Sequence, residues 1–365
     1  MNEKILIVGA GLSGATCAAI LKEKYDITII DKRKNPGGNI RLKERHGILC
    51  HDHGAHIWHT NDDEIHNFVK SYTNKFIPYV HKVRAISNGQ SYTLPFTLKT
   101  LSEFGLNELP IDKPFPNPIN LEQFAINEVG IEIYNTLIKN YTLKQWRKNP
   151  IDLPAAIIKR IPVRNDYTDN YFTDKYQGLF DYNHIIKNML KGCTFISQNS
   201  FKTFKFKNDV SIYKHIIYTG AIDDLMDYEL GAMEWRRVEF KHELLDIPKF
   251  QTLSVVNYCD STKPYTRIIE HKNFPHKEYN LNHTVITKEY PVQWYKHLTP
   301  HYPIDDDRNR RLFLQYRLMA KEKYPNFILC GRLADYVYID MHQAVRKAIT
   351  VSRQILNNIN TEGSI

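Results

Sequence analysis

The sequence predicts an α/β fold, with a Rossmann-like unit at both ends of the chain interrupted by inserted helical and sheet elements. Three observations predict it. The first forty residues read strand, glycine turn, helix, strand. Residues 97–160 switch to helical periodicity behind a run of prolines, and the final segment returns to a strand, a Gly-Arg pair and a helix.

The opening strand Lys4-Ile5-Leu6-Ile7-Val8 runs into Gly9-Ala10-Gly11-Leu12-Ser13-Gly14. Gly9 permits the tight turn, Gly11 lets the backbone approach a pyrophosphate, and Gly14 lets the helix pack closely on the strand. The helix start offers free N–H groups and a positive dipole end to phosphates. A second strand, Ile27-Thr28-Ile29-Ile30, ends on Asp31, 17 residues after Gly14. That completes a dinucleotide-binding fingerprint. Asp31 has the placement of an acid that accepts hydrogen bonds from an adenosine ribose with a free 2′-OH; as a bare residue it also reads as a solvated strand-end carboxylate. The later Gly37-Gly38 pair, a second close backbone approach, favours FAD over NAD.

At 365 residues the chain can bury a substantial core and form two or three domains. Its 42% hydrophobic and 24% charged content is ordinary for a soluble protein. The apolar stretch from Ile5 to Leu21 is explained by the strand and glycine turn rather than by a leader or a span, so a cytoplasmic protein without membrane insertion is expected. The five cysteines show no C-x-x-C spacing, which speaks against disulfides and a thiolate zinc site. A net charge of +9 without a dense basic stripe or a nucleic-acid-binding module excludes nucleic acid and suits anionic small molecules.

Between Gly47 and Thr60 lie His51, His53, His56 and His59. His51 and His53 alternate as strand ligands might, but no acid or thiol cluster completes a metal site, and a loop against a ring system is the better reading. After Pro110, Pro114, Pro116 and Pro118, Asn120 can cap a helix beginning at Leu121. Tyr134, Leu137, Ile138 and Tyr141 then mark one apolar helical face, on which periodicity alone makes Tyr141 and Trp146 core residues. Period-two segments come next; in one of them Tyr265, Arg267 and Ile269 share a strand face. Arg267 there is either a salt-bridged structural residue or an anion ligand. Phe327 to Arg332 reads as a buried strand and Asp340-Met341-His342 as a helix start, completing the discontinuous nucleotide unit.

Several ordered segments carry a resemblance. They are the glycine fingerprint with Gly37-Gly38-Asn39; Gly54-Ala55-His56-Ile57-Trp58-His59-Thr60; Tyr141-Thr142 with Gln145-Trp146; Ile158 to Arg164; Asn170-Tyr171-Phe172; Pro264 to Lys272; Thr287 to Pro291; and Gly331-Arg332-Leu333 with Asp340 to Gln343. In these the chain resembles the bacterial UDP-galactopyranose mutases over nearly its whole length.

The resemblance implies three domains: a discontinuous FAD-binding Rossmann-like domain (1–75, 181–232 and 320–365), a helical domain (97–158) and an antiparallel sheet domain (76–96, 159–180 and 233–319). It implies a mutase that interconverts UDP-galactopyranose and UDP-galactofuranose without net redox change, for cell-surface polysaccharide synthesis. The N5 of reduced FAD would act as the nucleophile at the anomeric carbon. A homodimer is implied as well. Arg160, Arg267, His59 and Tyr338 match positions that act in catalysis. Tyr141, Thr142, Trp146, Tyr171, Asn257 and Tyr302 join Arg160, Arg267 and Tyr338 as substrate contacts, which replaces the core reading of Tyr141 and Trp146. Around the cofactor the matches are Gly9, Gly11, Leu12, Gly14, Asp31, Lys32, Gly38, Asn39, His56, Ile57, Arg332, Asp340, Met341 and His342, with no metal.

One segment departs from the family pattern. Leu179-Phe180-Asp181-Tyr182 comes after Gly178 where relatives carry a proline and a glycine pair, so a shorter, bulkier loop is expected to reshape the sugar pocket. Trp58 for the usual phenylalanine is a milder change. An N-acetylated galactose on UDP or a deoxy sugar on dTDP are alternative substrates, since a pocket discriminates a methyl group only modestly. Two other classes compete. An amine oxidase-like flavin oxidoreductase would leave Arg160 and Arg267 unexplained, and a non-catalytic nucleotide-sugar binder would be colourless.

Overall fold

The structure, a computed structural model, describes residues 2–357; the expected terminal stretch 358–365 lies outside the described residues. A parallel five-stranded sheet runs in the order Thr194–Ser197, Asp26–Asp31, Lys4–Val8, Tyr213–Tyr218, Phe327–Leu329. Its strands are apolar on both faces because both are covered. Ile5, Ile7 and Ile29 face a core shared with the helices Leu12–Leu21, Tyr182–Met189 and Met341–Leu356. Leu6 and Ile30 face the opposite core, shared with Phe201–Lys207 and Asp307–Lys323. Small residues (Ala15, Ala18, Ala19) let the first helix lie close to the sheet and to the last helix.

A seven-stranded sheet takes up the middle of the chain, in the order Tyr302–Pro303, Trp235–Leu245, Thr284–Gln293, Arg267–Glu270, Val255–Tyr258, Val83–Ser87, Gln90–Leu94. Five of its six pairings are antiparallel; Val255–Tyr258 runs parallel to Val83–Ser87. These two strands are separated in sequence by the helical insertion, so no hairpin forces them antiparallel.

The insertion begins at Leu98–Glu103 behind a Thr97 capping box. Leu121–Val129 comes next, with Asn120 accepting the Gln123 amide at 3.0 Å, as its sequence position predicts. From Ile131 to Trp146 the chain is helical with a π-helical stretch at Tyr134–Lys139. Tyr134, Leu137 and Ile138 are buried in a core with Trp146, while Tyr141 is only partly buried. The wide π turn rotates the residues after it off a strict 3.6 period, which turns Tyr141 toward the sheet.

A third sheet, of three strands, joins the two halves: Trp58–Thr60, Tyr176–Phe180 and Phe76–Pro78, with Tyr176–Phe180 central. The segment after Gly178 is therefore no loop. Leu179 and Phe180 are fully buried, Leu179 in the core between the seven-stranded sheet and the helical insertion (the substrate-side core) and Phe180 in the core between the parallel sheet and its first and last helices (the nucleotide-side core). Asp181 caps the next helix through the His184 amide, and the Tyr182 hydroxyl donates to the His56 carbonyl at 3.0 Å. The expected reshaped loop is thus a partition strand, fixed by alternation of its side chains between two cores. No described helix is long and apolar enough to cross a membrane.

Candidate active site

Two glycine turns meet at the end of the parallel sheet. Gly9 sits at φ +109°, where a Cβ would lie 2.0 Å from the Thr219 hydroxyl oxygen. A Cβ on Gly14 would lie 2.0 Å from the Gly9 carbonyl oxygen, and one on Gly38 would lie 2.9 Å from the Gly11 Cα. The Gly37 amide donates to the Ala10 carbonyl at 2.8 Å, holding the second turn against the first. Gly11 caps the helix with no side-chain hydrogen bond, so the first-turn amides stay open to an anion. Such a bare double-glycine cradle fits the pyrophosphate of a dinucleotide.

Asp31 is buried, and its two oxygens accept the Ala10 amide at 2.8 Å and the Arg33 amide at 2.7 Å. It ties the first turn to the end of the second strand, and each oxygen retains a lone pair. Leu12 opens the helix, Asn39 accepts from the Arg33 guanidinium at 2.9 Å, and Lys32 is exposed at the rim. Gly331, at φ +111°, allows the last strand to approach Ser13, where a Cβ would come within 2.8 Å of its hydroxyl. Beyond it Asp340 and Gln343 form a capping box, and His342, in the first turn, buries an Nδ1 with no partner among the described residues. Met341 packs against the nucleotide-side core.

The histidine loop lies alongside. His51 is fully buried; its Nδ1 accepts the His56 amide at 3.2 Å, and its Nε2 lies 3.1 Å from Nε2 of His276. The His56 Nδ1 donates to the Gly54 carbonyl at 2.8 Å, and burial pulls this imidazole down to about 4, so it is neutral at pH 7. Ile57 points into the substrate-side core. His59 stacks on Phe172 at 3.8 Å and meets His342 edge-on at 5.1 Å. Its Nδ1 lies 3.1 Å from a carboxylate oxygen of Asp174.

The second half of the site is built from side chains. Arg267 stands on its strand opposite Asn257 and Glu289 on the two neighbouring strands. Its Nε donates to the Asn257 side-chain oxygen at 3.1 Å, and its Nη1 lies 3.6 Å from the Glu289 carboxylate. Burial is the largest influence on Arg267 and works against its charge, but Glu289 together with Tyr141, Tyr302 and Tyr171 outweighs it and holds the guanidinium firmly charged. Burial pushes the Glu289 carboxyl up, and Arg267 opposes that shift. Tyr141 is pushed up to about 12 by burial, so it stays a neutral hydrogen-bond donor. Tyr302 and Tyr338 stack at 5.1 Å, and the Arg332 guanidinium lies 5.0 Å from the Tyr338 ring while donating to the Ile339 carbonyl at 2.6 Å. Arg332 thus links the cofactor strand to the tyrosines. Thr142 and Trp146 are buried at the end of the π-containing helix. Arg160 ends the 3-10 turn Ala155–Arg160, and its side chain lies outside the described residues.

Three residues near this cluster escaped the sequence reading. Arg236 is 3% exposed, pairs in register with Tyr302, and has an Nε without a partner among the described residues. Burial and the neighbouring Arg147 pull it down to about 10, an unfavourable placement that an anion would relieve. His81 is 5% exposed, has an Nδ1 without a partner among the described residues, and feels Arg267 as its strongest charged neighbour. Asp174 lies two residues beyond the Asn170-Tyr171-Phe172 segment. Strand alternation could have placed Arg236 on an inward face; nothing local marks His81 or Asp174.

Comparison with known proteins adds to this geometry. A family model described as UDP-galactopyranose mutase matches residues 136–338, and one described as an NAD(P)-binding Rossmann-like domain matches residues 7–72. The chain is 34% identical to a dTDP-fucopyranose mutase of Escherichia coli, over 98% of this chain and 99% of that protein. It is 33% identical to a probable UDP-galactopyranose mutase of Klebsiella pneumoniae, over 98% and 96%. A crystal structure of reduced UDP-galactopyranose mutase superposes with a TM-score of 0.75 at 14% identity, covering 99% of this chain and 97% of that one, which shows the shared fold.

Proposed function

The chain belongs to the UDP-galactopyranose mutase family, and from that premise we propose that it interconverts UDP-galactopyranose and UDP-galactofuranose for cell-surface polysaccharide synthesis. It is an isomerase with FAD as its cofactor. The observation that carries the substrate reading is Arg267, backed by Glu289 and Asn257 and ringed by Tyr141, Tyr171 and Tyr302. This is a cation site with neutral donors, suited to a diphosphate.

The glycine cradle would hold the FAD pyrophosphate, with Asp31 near its ribose and the Arg332, His56 and Met341–His342 region near its ring. When bound and reduced, FAD supplies the nucleophile at the anomeric carbon. The remaining work belongs to the chain. Arg267, with Arg160 and Arg236 as further cations, stabilises the negative charge that grows on the departing diphosphate. The guanidinium needs no reorganisation, because Glu289 and Asn257 already fix its plane. Tyr171, Tyr302 and Tyr338 donate to phosphate oxygens, and Tyr141, Thr142, Trp146 and Asn257 line the base. The burial of Arg267's partners Glu289 and Asn257 strengthens these contacts, because charges interact more strongly away from water.

A dTDP-linked deoxy sugar is a second reading, favoured by the identity to the Escherichia coli enzyme across nearly the whole length of both chains. A cytoplasmic homodimer is part of the proposal; exposed Ile111, Ile119, Ile131 and Ile151 on the helical insertion support self-association. The test incubates dithionite-reduced protein with UDP-galactose, UDP-N-acetylgalactosamine and dTDP-fucose and resolves furanose products by chromatography. Flavin-loaded protein that turns over none of them ends the mutase reading.

A further inference from the structure

Two pairs of histidine and aspartate occur among the described residues, and they differ in kind. His242 lies 3.7 Å from Asp52, whose carboxylate is already taken by Arg41 at 2.9 Å and Arg45 at 2.6 Å. The other His242 nitrogen is 2.7 Å from the Thr287 hydroxyl, and burial pulls the ring down to about 4. That pair is a structural contact. His59 and Asp174 are different. One Asp174 oxygen accepts the His59 Nδ1–H at 3.1 Å, and the other accepts the Asn61 side-chain amide at 3.1 Å. Asn61 is itself fixed, since its carbonyl accepts the Lys175 amide at 2.8 Å.

The ring plane is set as firmly as its hydrogen bond. Phe172 lies parallel to His59 at 3.8 Å and is also stacked with His81, its ring centroid 6.0 Å away. This column of rings connects the neighbourhood of Arg267 with His342 at the start of the last helix. A carboxylate at Nδ1 puts the proton there and leaves the Nε2 lone pair free. Nε2 has no hydrogen-bond partner among the described residues. An imidazole with one nitrogen held by a carboxylate and the other open, set between a cation site and a cofactor cradle, is the arrangement of a proton carrier.

We propose that Asp174 is the positioning residue of a His59–Asp174 pair in which His59 Nε2 moves the proton that pyranose–furanose interconversion requires. This deepens, and rests on, the mutase reading. The two ring forms contain the same atoms. The C1–O5 bond breaks and a C1–O4 bond forms, so the O4 hydroxyl loses a proton and O5 gains one. His59 accepts the first at Nε2 and returns one to the oxygen leaving the ring, with no net change in protons or electrons. Besides Asp174, His342 and His81 are the titratable groups that interact with this ring, and Asp340 and Asp62 act in turn on His342.

The experiment compares wild type with Asp174→Asn, Asp174→Ala and Asp174→Glu, all flavin-loaded. Histidine side-chain 15N resonances are measured alongside kcat, KM and flavin content, with His59 assigned from its absence in His59→Gln. Expected are loss of the His59 Nδ1–H signature in Asp174→Ala, a fall in kcat of roughly 100-fold, KM and flavin content within about threefold, and partial rescue in Asp174→Glu. An Nδ1–H signature unchanged in Asp174→Ala, or wild-type kcat despite its loss, overturns the positioning role. Equal loss of flavin in all three variants shows a merely structural tie between two loops and overturns it too. Wild-type protein without turnover on any nucleotide sugar overturns the mutase reading and the proton's task with it, whatever the resonances show.

Discussion

The two halves of the site are made of different material. The proposed cofactor cradle is backbone: Gly9, Gly11, Gly14 and Gly38 remove side chains and leave amides open to an anion, Asp31 holds the Ala10 N–H, and the Gly37 N–H holds the Ala10 carbonyl. The proposed substrate half is side chain: Arg267, Glu289, Asn257 and the tyrosines come from different strands and the helical insertion, and Arg267, Glu289 and Asn257 meet through sheet register. A backbone site tolerates no added atom, whereas a side-chain site tolerates exchange within limits of charge. Specificity can therefore drift in the second half while the first stays fixed.

The sharpest way to separate the halves is Arg267→Ala. Turnover is expected to fall about a thousandfold, while flavin content stays at the wild-type level. Loss of the cation strands the buried Glu289 and costs stability on the order of 3 kcal/mol; adding Glu289→Gln is expected to restore the unfolding midpoint but not the rate. Flavin loss in the double variant would erase the division between the halves. Gly14→Ala is the mirror experiment. Its Cβ meets the Gly9 carbonyl, so the helix must shift; we expect destabilisation of about 3 kcal/mol and purified protein largely without flavin, read from the visible spectrum.

Acid separates the halves less cleanly. Burial pulls His276 to about 4 and His81 and His271 to about 3. These rings are neutral in the fold and ordinary when unfolded, so between about pH 6.5 and 4 the unfolded chain binds more protons. Stability is complete above pH 6.5 and falls as pH drops, by about 1.4 kcal/mol for each such ring at pH 5.5. Denaturant midpoints between pH 7.5 and 5.5 test this; a flat profile contradicts it. Asp31→Asn should weaken FAD binding roughly tenfold, because an amide nitrogen cannot accept from the Ala10 or Arg33 amide; titration of apoprotein reads it. Trp58→Phe is the smallest effect, within about 1 kcal/mol, since the buried Trp58 Nε1 has no partner among the described residues to lose. A loss of turnover there would mean that this indole acts on the site.

The same contrast explains what was legible in the sequence. The cradle could be read from Lys4 to Asn39 because its parts are neighbours in the chain and each glycine has a local task. The substrate half could not be assembled from periodicity. Arg267 reads equally as a structural salt bridge until strand register puts Glu289 beside it, and it is in fact ion-paired within the proposed anion site. Tyr141 continues an apolar helical face on paper, and only the π turn before it breaks that period. The stretch after Gly178 misled in the other direction. Without the strands Trp58–Thr60 and Phe76–Pro78 on either side, Leu179 and Phe180 read as a bulky loop rather than as two core residues.

That central strand sets where the molecule can be cut and rejoined. Leu179 packs into one core and Phe180 into the other, and a Cβ at Gly178 would fall 2.4 Å from the Ile77 carbonyl oxygen. Recombination with a relative that breaks within 176–180 would mismatch two interiors at once. Even a single crossover at an exposed hairpin turn of the seven-stranded sheet, such as Asn88-Gly89, would part Trp58–Thr60 and Phe76–Pro78 from Tyr176–Phe180, because both interiors draw on residues before and after it. Chimaeras built to exchange nucleotide preference should therefore carry residues 58–60, 76–78 and 176–180 from one parent, as a single inherited block.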